Sequence, residues 1–212
     1  MTTRHRLAFS LLLLPALAGC SILGGKQKEP STLYAPDPRV QVDPSWPNVD
    51  WQLSISRPDA ARMVDTLRIT VRPSPEELQV YKGASWAKSP SEMVEDSVLR
   101  ALEDSGKIPA VARQGSGIAA DYKLVMDLRR FESDYAGGAA PSATIEVNAK
   151  LLHSAGPDVV ASRTFVQSVP AASTAVPDVV DAFSRGLGQV AHDIAGWTLT
   201  TGDMHQRTAH KK

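Results

Sequence analysis

The chain is nearly free of cysteine: Cys20 is the only one in 212 residues. No intramolecular disulfide can form, so any folded region must be stabilised by its core alone. Charge of a dominant sign is also missing, because 23 basic residues are balanced by 23 acidic ones. That balance excludes the electrostatic footprint of a nucleic-acid partner, and no basic run marks the chain for an anionic lipid surface. A hydrophobic run long enough to cross a bilayer is lacking too. The apolar stretch from Leu7 to Leu17 falls well short of the about 20 residues that a spanning helix needs.

What is present begins with that same stretch. Arg4, His5 and Arg6 precede it, and Leu17-Ala18-Gly19-Cys20 closes it. The order charged, apolar, small is that of a secretory signal peptide. Ala18 and Gly19 leave room for a peptidase at the bond before Cys20, and a sole cysteine in that place reads as a bacterial lipobox. Residues 1–19 are therefore expected to be a lipoprotein signal peptide, cleaved between Gly19 and Cys20. Cys20 is expected to carry a covalent diacylglycerol and an N-acyl chain, with no other cofactor. Each buried methylene contributes about 0.8 kcal/mol, and more than one chain is needed for stable anchoring. Loss of Arg4 and Arg6 leaves the mature chain slightly acidic. Ser21 follows where an aspartate would favour inner-membrane retention, so the expected place is the outer membrane, facing the periplasm.

Residues 20–48 are expected to form the lipidated N-terminus and a proline-rich tether. Gly24-Gly25 and then Pro30, Pro36, Pro38, Pro44 and Pro47 leave no room for a regular element. Tyr34 either belongs to this tether or docks as an edge strand. A folded domain is expected over 49–199. Leu53 and Ile55 alternate with polar residues, as do Leu67, Ile69 and Val71, and a short return strand over Leu78 to Tyr81 should stop at Lys82-Gly83. Ser89-Pro90-Ser91-Glu92 opens a helix with a capping box and a proline where its missing N–H costs nothing, and Gly106 stops it. A short strand over Ile108 to Ala112 leads to the turn at Gly115-Ser116-Gly117. Three strands follow, around Tyr122–Arg129, Ile145–Leu151 and Val159–Val169, and their short connections predict antiparallel pairing. Val180, Phe183, Leu187, Val190, Ile194 and Trp197 form one apolar stripe over Pro177 to Leu199. Residues 200–212 read as a disordered tail. The fold class is α+β: a mostly antiparallel sheet with two amphipathic helices packed on one face.

The residues that carry catalysis elsewhere are not arranged for it here, and no enzyme is expected. The cysteine is used by lipid, and Gly115-Ser116-Gly117 lacks the spacing of a nucleophile elbow. His153, His192, His205 and His210 are not spaced to share a metal on one helix. Gly186-Leu187-Gly188 has no phosphate-binding context and reads as a place of close helix packing. Trp197 continues the helical stripe and reads as core. Trp46 and Trp86 sit beside prolines and lysines, where they are either partial core covers or exposed contacts for a partner or lipid.

The chain resembles the ABC-type transport auxiliary lipoprotein family. The residues that carry the likeness are Trp86 before the capped helix, Leu99-x-x-Leu102 followed by Ser105-Gly106, and Asp121-Tyr122-x-Leu124 running into Phe131-Glu132. Arg163-Thr164-Phe165 leading to Val169-Pro170-Ala171, and a final helix closing on Ala195-Gly196-Trp197, complete it. The start departs from the family's Tyr-x-Leu strand, of which Tyr34 is the displaced remnant. The resemblance implies an outer-membrane docking component of a lipid transport system. In such systems a mammalian-cell-entry-type periplasmic protein is the partner, and ATP hydrolysis belongs to another subunit. A lipid carrier with its own apolar pocket and a purely structural envelope lipoprotein are the alternatives. Self-association would suit a domain that caps a ring-shaped partner.

Overall fold

The computed structural model describes residues 31–156 and 158–209. The element order is β1 (Thr32–Tyr34), β2 (Gln52–Ile55), β3 (Asp59–Ala60), β4 (Arg68–Ser74), β5 (Glu77–Trp86), α1 (Pro90–Ser105), β6 (Ala110–Arg113), β7 (Tyr122–Asp134), β8 (Ser142–His153), β9 (Val159–Pro170) and α2 (Val176–Ala209). These make an α+β fold of one nine-stranded mixed sheet and two helices.

β7 organises the sheet. One of its edges is fully paired with β8, from Tyr122 opposite His153 to Asp134 opposite Ser142, and β8 pairs in turn with β9. Both ladders are antiparallel, as short connections require. The other edge of β7 is served in series by three short strands running parallel to it. β2 pairs over Leu53–Ile55, β3 over Asp59–Ala60, and β4 at Val71 and Arg72. The sheet therefore forks: β6 adds beside β2, while β5 and then β1 add beside β4. Only this N-terminal half is parallel in its contacts with β7.

α1 forms where its local signals place it. Pro90 occupies the first turn, the Glu92 carboxylate accepts a 3.3 Å hydrogen bond from the Ser89 N–H, and Gly106 ends the helix in the left-handed region at φ 61°. α2 is 34 residues long, about 50 Å at 1.5 Å per residue. It lies along β8 and β9 and against α1. Alternate residues of β7 (Tyr122, Leu124, Met126, Leu128) and of β8 (Ile145, Val147, Ala149, Leu151) are buried in one core with Phe183, Leu187, Val190 and Ile194 of α2. Three elements meet at an aromatic cluster. Trp86 at the end of β5 packs edge-on against Phe131 of β7 (5.8 Å) and Phe183 of α2 (5.2 Å), and the two phenylalanines stack at 4.8 Å.

Several expectations are corrected. β5 does not stop at Lys82-Gly83; a bulge with Gly83 at φ 65° carries it on to Trp86, because Trp86 has a core to enter. The tail expected over 200–212 is helix as far as Ala209, the remaining residues lying outside the described ones. Thr200-Thr201-Gly202 is a poor helix former in isolation, yet Leu199 and Thr201 are buried there and the Tyr122 hydroxyl shares a 2.7 Å hydrogen bond with His205 Nδ1. The tether expected over 20–48 is corrected from Thr32 onward. β1 docks on β5, with Tyr34 opposite Trp86, and the irregular segment after it packs on the helices. Residues 20–30 lie outside the described residues, as do Cys20 and Gly19.

Candidate functional site

The segment between β1 and β2 has no regular structure, as its prolines dictate, but it is a strap rather than a free linker. Asp37 pairs with Arg100, and Arg39 with Asp104 at 3.5 Å, both on α1. The Val49 N–H donates to the Lys107 carbonyl at 2.8 Å. Glycines of α2 receive the rest. A Cβ on Gly188 would lie 3.3 Å from Pro38, one on Gly196 would lie 2.5 Å from Trp46 Nε1, and one on Gly202 would overlap the Trp51 indole. The absent side chains are what let the strap approach α2 this closely. Gly186, by contrast, faces Val169 and Ile145 of the sheet at 3.4 and 3.5 Å. Of the Gly186-Leu187-Gly188 pair, one glycine serves the sheet and the other the strap.

Trp46 and Trp86 are thus corrected as exposed contacts. Trp46 is 6% and Trp86 1% exposed. The Trp46 indole lies 5.0 Å from the His192 ring on α2, and its burial is explained by the bare helix surface at Gly196. Trp197, expected in the core, is only half-buried; it meets Phe165 edge-on at 5.7 Å.

Two solvent-open grooves flank the strap. One, of about 750 Å³, lies between the strap and α1, lined by Ala35, Asp37, Lys88, Asp96, Arg100 and Arg113. The other, of about 890 Å³, lies between β9 and the last turns of α2, lined by Trp46, Val160, Arg163, Trp197, Met204 and His205 among others. Among the described residues β9 pairs on one side only, so its outer edge presents a row of backbone groups along its 12 residues. Arg163 stands over the Phe165 ring at 5.0 Å.

Polar clusters are chiefly structural. Burial opposes ionisation of Glu132, but Arg72 (2.9 Å) and Arg130 (2.7 Å) outweigh it and hold its carboxyl below the usual range. Burial raises Glu95 despite Arg113 at 3.3 Å. Arg57 donates to Ser89 Oγ and Ser91 Oγ at 2.8 and 3.0 Å, and Asp65 accepts from the Ser91 N–H, which ties the β3–β4 connection to the start of α1. Sequence spacing gave no reason to group His153 with His205, yet the fold sets their rings 5.2 Å apart beside Tyr122. Burial, with the Asp121 charge, pushes the Tyr122 hydroxyl up to about 12. It is a hydrogen-bond post, not a base. Among the described residues no group of three or more His, Cys, Asp or Glu side chains is placed to hold a metal.

A capped helix, a long antiparallel meander and a final helix running into Trp197 occur in the order on which the resemblance rests, and a family model describing the ABC-type transport auxiliary lipoprotein component matches residues 32–195. The chain belongs to this family. The match begins at β1, so the strap is part of the family domain and not a preface to it. Membership makes the chain an auxiliary lipoprotein of an ABC-type transport system, with a membrane-anchored place in the cell envelope. Among the described residues no helix is long and apolar enough to cross a membrane. The crystal structure of protein XCC0632 from Xanthomonas campestris is 55% identical, with a TM-score of 0.79 over 83% of this chain and 99% of that one. An uncharacterized protein shares the fold at a TM-score of 0.61 and 14% identity, over 79% of this chain and 97% of its own. The uncharacterized protein bll6063 of Bradyrhizobium diazoefficiens is 26% identical over 158 residues; they make up 74% of this chain and 42% of that protein, so the chain spans about two fifths of that relative.

Proposed function

We propose that the protein is a non-enzymatic docking component of a lipid transport system, anchored in the outer membrane through acylated Cys20 and facing the periplasm. The observation that carries this is the family match from β1 to the middle of α2. The lipobox at Leu17-Ala18-Gly19-Cys20 and Ser21 behind it support the anchor and its membrane. The partner is a mammalian-cell-entry-type periplasmic protein, and the system maintains envelope integrity. ATP hydrolysis then belongs to another subunit.

The geometry favours docking over carriage. The grooves of about 750 and 890 Å³ are open to solvent, whereas a carrier must enclose most of an acyl chain. The outer edge of β9 can accept a partner strand by main-chain hydrogen bonding, with alternate side chains setting specificity. Self-association through the same edge is compatible with capping a ring-shaped partner. Co-precipitation of the domain with a mammalian-cell-entry protein from the same cell is the expected result. No association, together with unchanged detergent resistance in a deletion strain, would sink the docking reading. A phospholipid co-purifying beyond the covalent one, seen by native mass spectrometry, would favour the carrier instead.

A further inference from the structure

Seven large hydrophobic side chains are exposed among the described residues, and three of them gather at one end of the sheet: Leu33 (68%), Met63 (56%) and Leu67 (52%). Strand register places the first of them, and a turn and one hydrogen bond place the others. Leu33 of β1 and Arg68 of β4 both stand opposite Ser85 of β5, so they share one face in a single row across three strands. With neighbouring strands about 4.8 Å apart, the row places Leu33 and Arg68 about 10 Å from each other. Leu67 precedes Arg68 and lies one row further, its carbonyl accepting the Trp86 N–H at 2.7 Å, so it stands at the end of the sheet rather than on the Leu33–Arg68 face. Met63 lies on the turn closed by the Val64 and Asp65 N–H groups on the Ala61 carbonyl.

Cationic groups surround this patch, with one exposed acid, Asp59, three residues before Arg62. Arg62, Arg68 and Lys82 are exposed, and none has an ion-pair partner among the described residues. The acid of the same turn, Asp65, is already held by Arg57 at 3.5 Å and by the Ser91 N–H at 2.9 Å. No basic run announces this in the sequence; the fold collects it from a turn and two strands.

The chain enters the domain at this end. Cys20 precedes Thr32 by twelve residues, a length of chain that can reach at most about 43 Å. The geometry points to a membrane-facing surface. Leu33, Met63 and Leu67 enter the headgroup boundary of the leaflet that holds the acyl chains, and Arg62, Arg68 and Lys82 meet anionic lipid phosphates. The inference rests on the acylated Cys20 of the proposed function. It also orients the domain, because β1 and β9 lie at opposite edges of the sheet along the order β1-β5-β4-β7-β8-β9. With the β1 edge on the lipid, β9 is presented to the periplasm.

The test uses the full acylated chain in vesicles of phosphatidylethanolamine and phosphatidylglycerol, with nitroxide labels on Leu33→Cys and Leu67→Cys and on Val166→Cys of β9 as the distant control. The acylated Cys20 thiol is not free to react, and a mass spectrum of the N-terminal peptide reports its modification separately. The expected result is an oxygen-to-nickel collision ratio several-fold higher at positions 33 and 67 than at 166. It should fall in Arg68→Glu/Lys82→Glu protein or when phosphatidylcholine replaces the anionic lipid. Equal, water-like ratios at all three positions with Cys20 acylated overturn the surface contact. So does spin–spin broadening at 33 or 67, which would assign the patch to a second copy. An unmodified Cys20 overturns the anchor itself, and the inference with it, on a readout independent of the labels.

Discussion

The C-terminal meander β7–β8–β9 and the N-terminal stretch from β1 to β4 contribute to one sheet by opposite means. The meander is contiguous in sequence and pairs each strand with its neighbour in the chain. The N-terminal stretch supplies short strands that pair parallel to a strand some 70 residues away, joined by a strap seated on glycines of α2. Local pairing needs little loop closure, whereas the distant pairing must first overcome a larger chain entropy. The first region is held by alternation and hairpins; the second depends on where α2 leaves room.

The comparison can be broken most severely at the end of α2. Stopping the chain after Thr200 should cost about 3–5 kcal/mol, as for a large core truncation, because it removes the seat of Trp51 at Gly202 and the Tyr122–His205 hydrogen bond. A denaturant midpoint equal to that of the full chain would restore the disordered-tail reading. A second break lies where the two regions join, at Arg72 of β4 and Glu132 of β7. Glu132→Gln should cost about 1.5–3 kcal/mol at neutral pH, the range for hydrogen bonds to charged groups. The native carboxyl ionises below its ordinary 4.5, so its contribution is present above that value and is lost as the pH falls through the lowered native one. The gap between wild type and variant should therefore close in acid, and a gap independent of pH would deny the ion pair its role. The smallest effects sharpen the comparison at the glycines. Gly202→Ala should destabilise by about 1–3 kcal/mol through overpacking against Trp51, outweighing the about 1 kcal/mol that alanine gains in a helix. Gly186→Ala, at ordinary contact distance from Val169 and Ile145, should be within about 1 kcal/mol of wild type. Equal thermal midpoints for these two variants would mean the strap is not tightly seated.

The reading of the sequence succeeded wherever the signal and the structure it specifies lie close together. Ser89, Pro90, Glu92 and Gly106 bound α1 through interactions within a few residues, and the alternation from Tyr122 to Val169 orders the meander. It failed where one segment's environment is made by another. Trp46 among prolines reads as either a core cover or an exposed contact until Gly196 is seen beneath it, and Thr200-Thr201-Gly202 looks like a helix end until Trp51 is placed against it. His153 and His205 converge only because the β8 end and the last turns of α2 meet at Tyr122. Arg62, Arg68 and Lys82 likewise come to one end of the sheet only because the fold sets the β3–β4 turn beside β4 and β5.

By itself the sequence determined the candidate lipid attachment at Cys20, the helix bounded by Ser89 and Gly106, the three-strand meander and the family to which the chain belongs. Each of these is encoded in residues that touch one another along the chain or recur with a fixed period. Only the tertiary structure decided that the proline-rich segment is a seated strap, that α2 runs to Ala209, and which edges of the sheet are left open. These depend on complementary surfaces distant in sequence, a ring against a missing side chain or a strand against a partner's edge, and no local pattern of residues records such a fit.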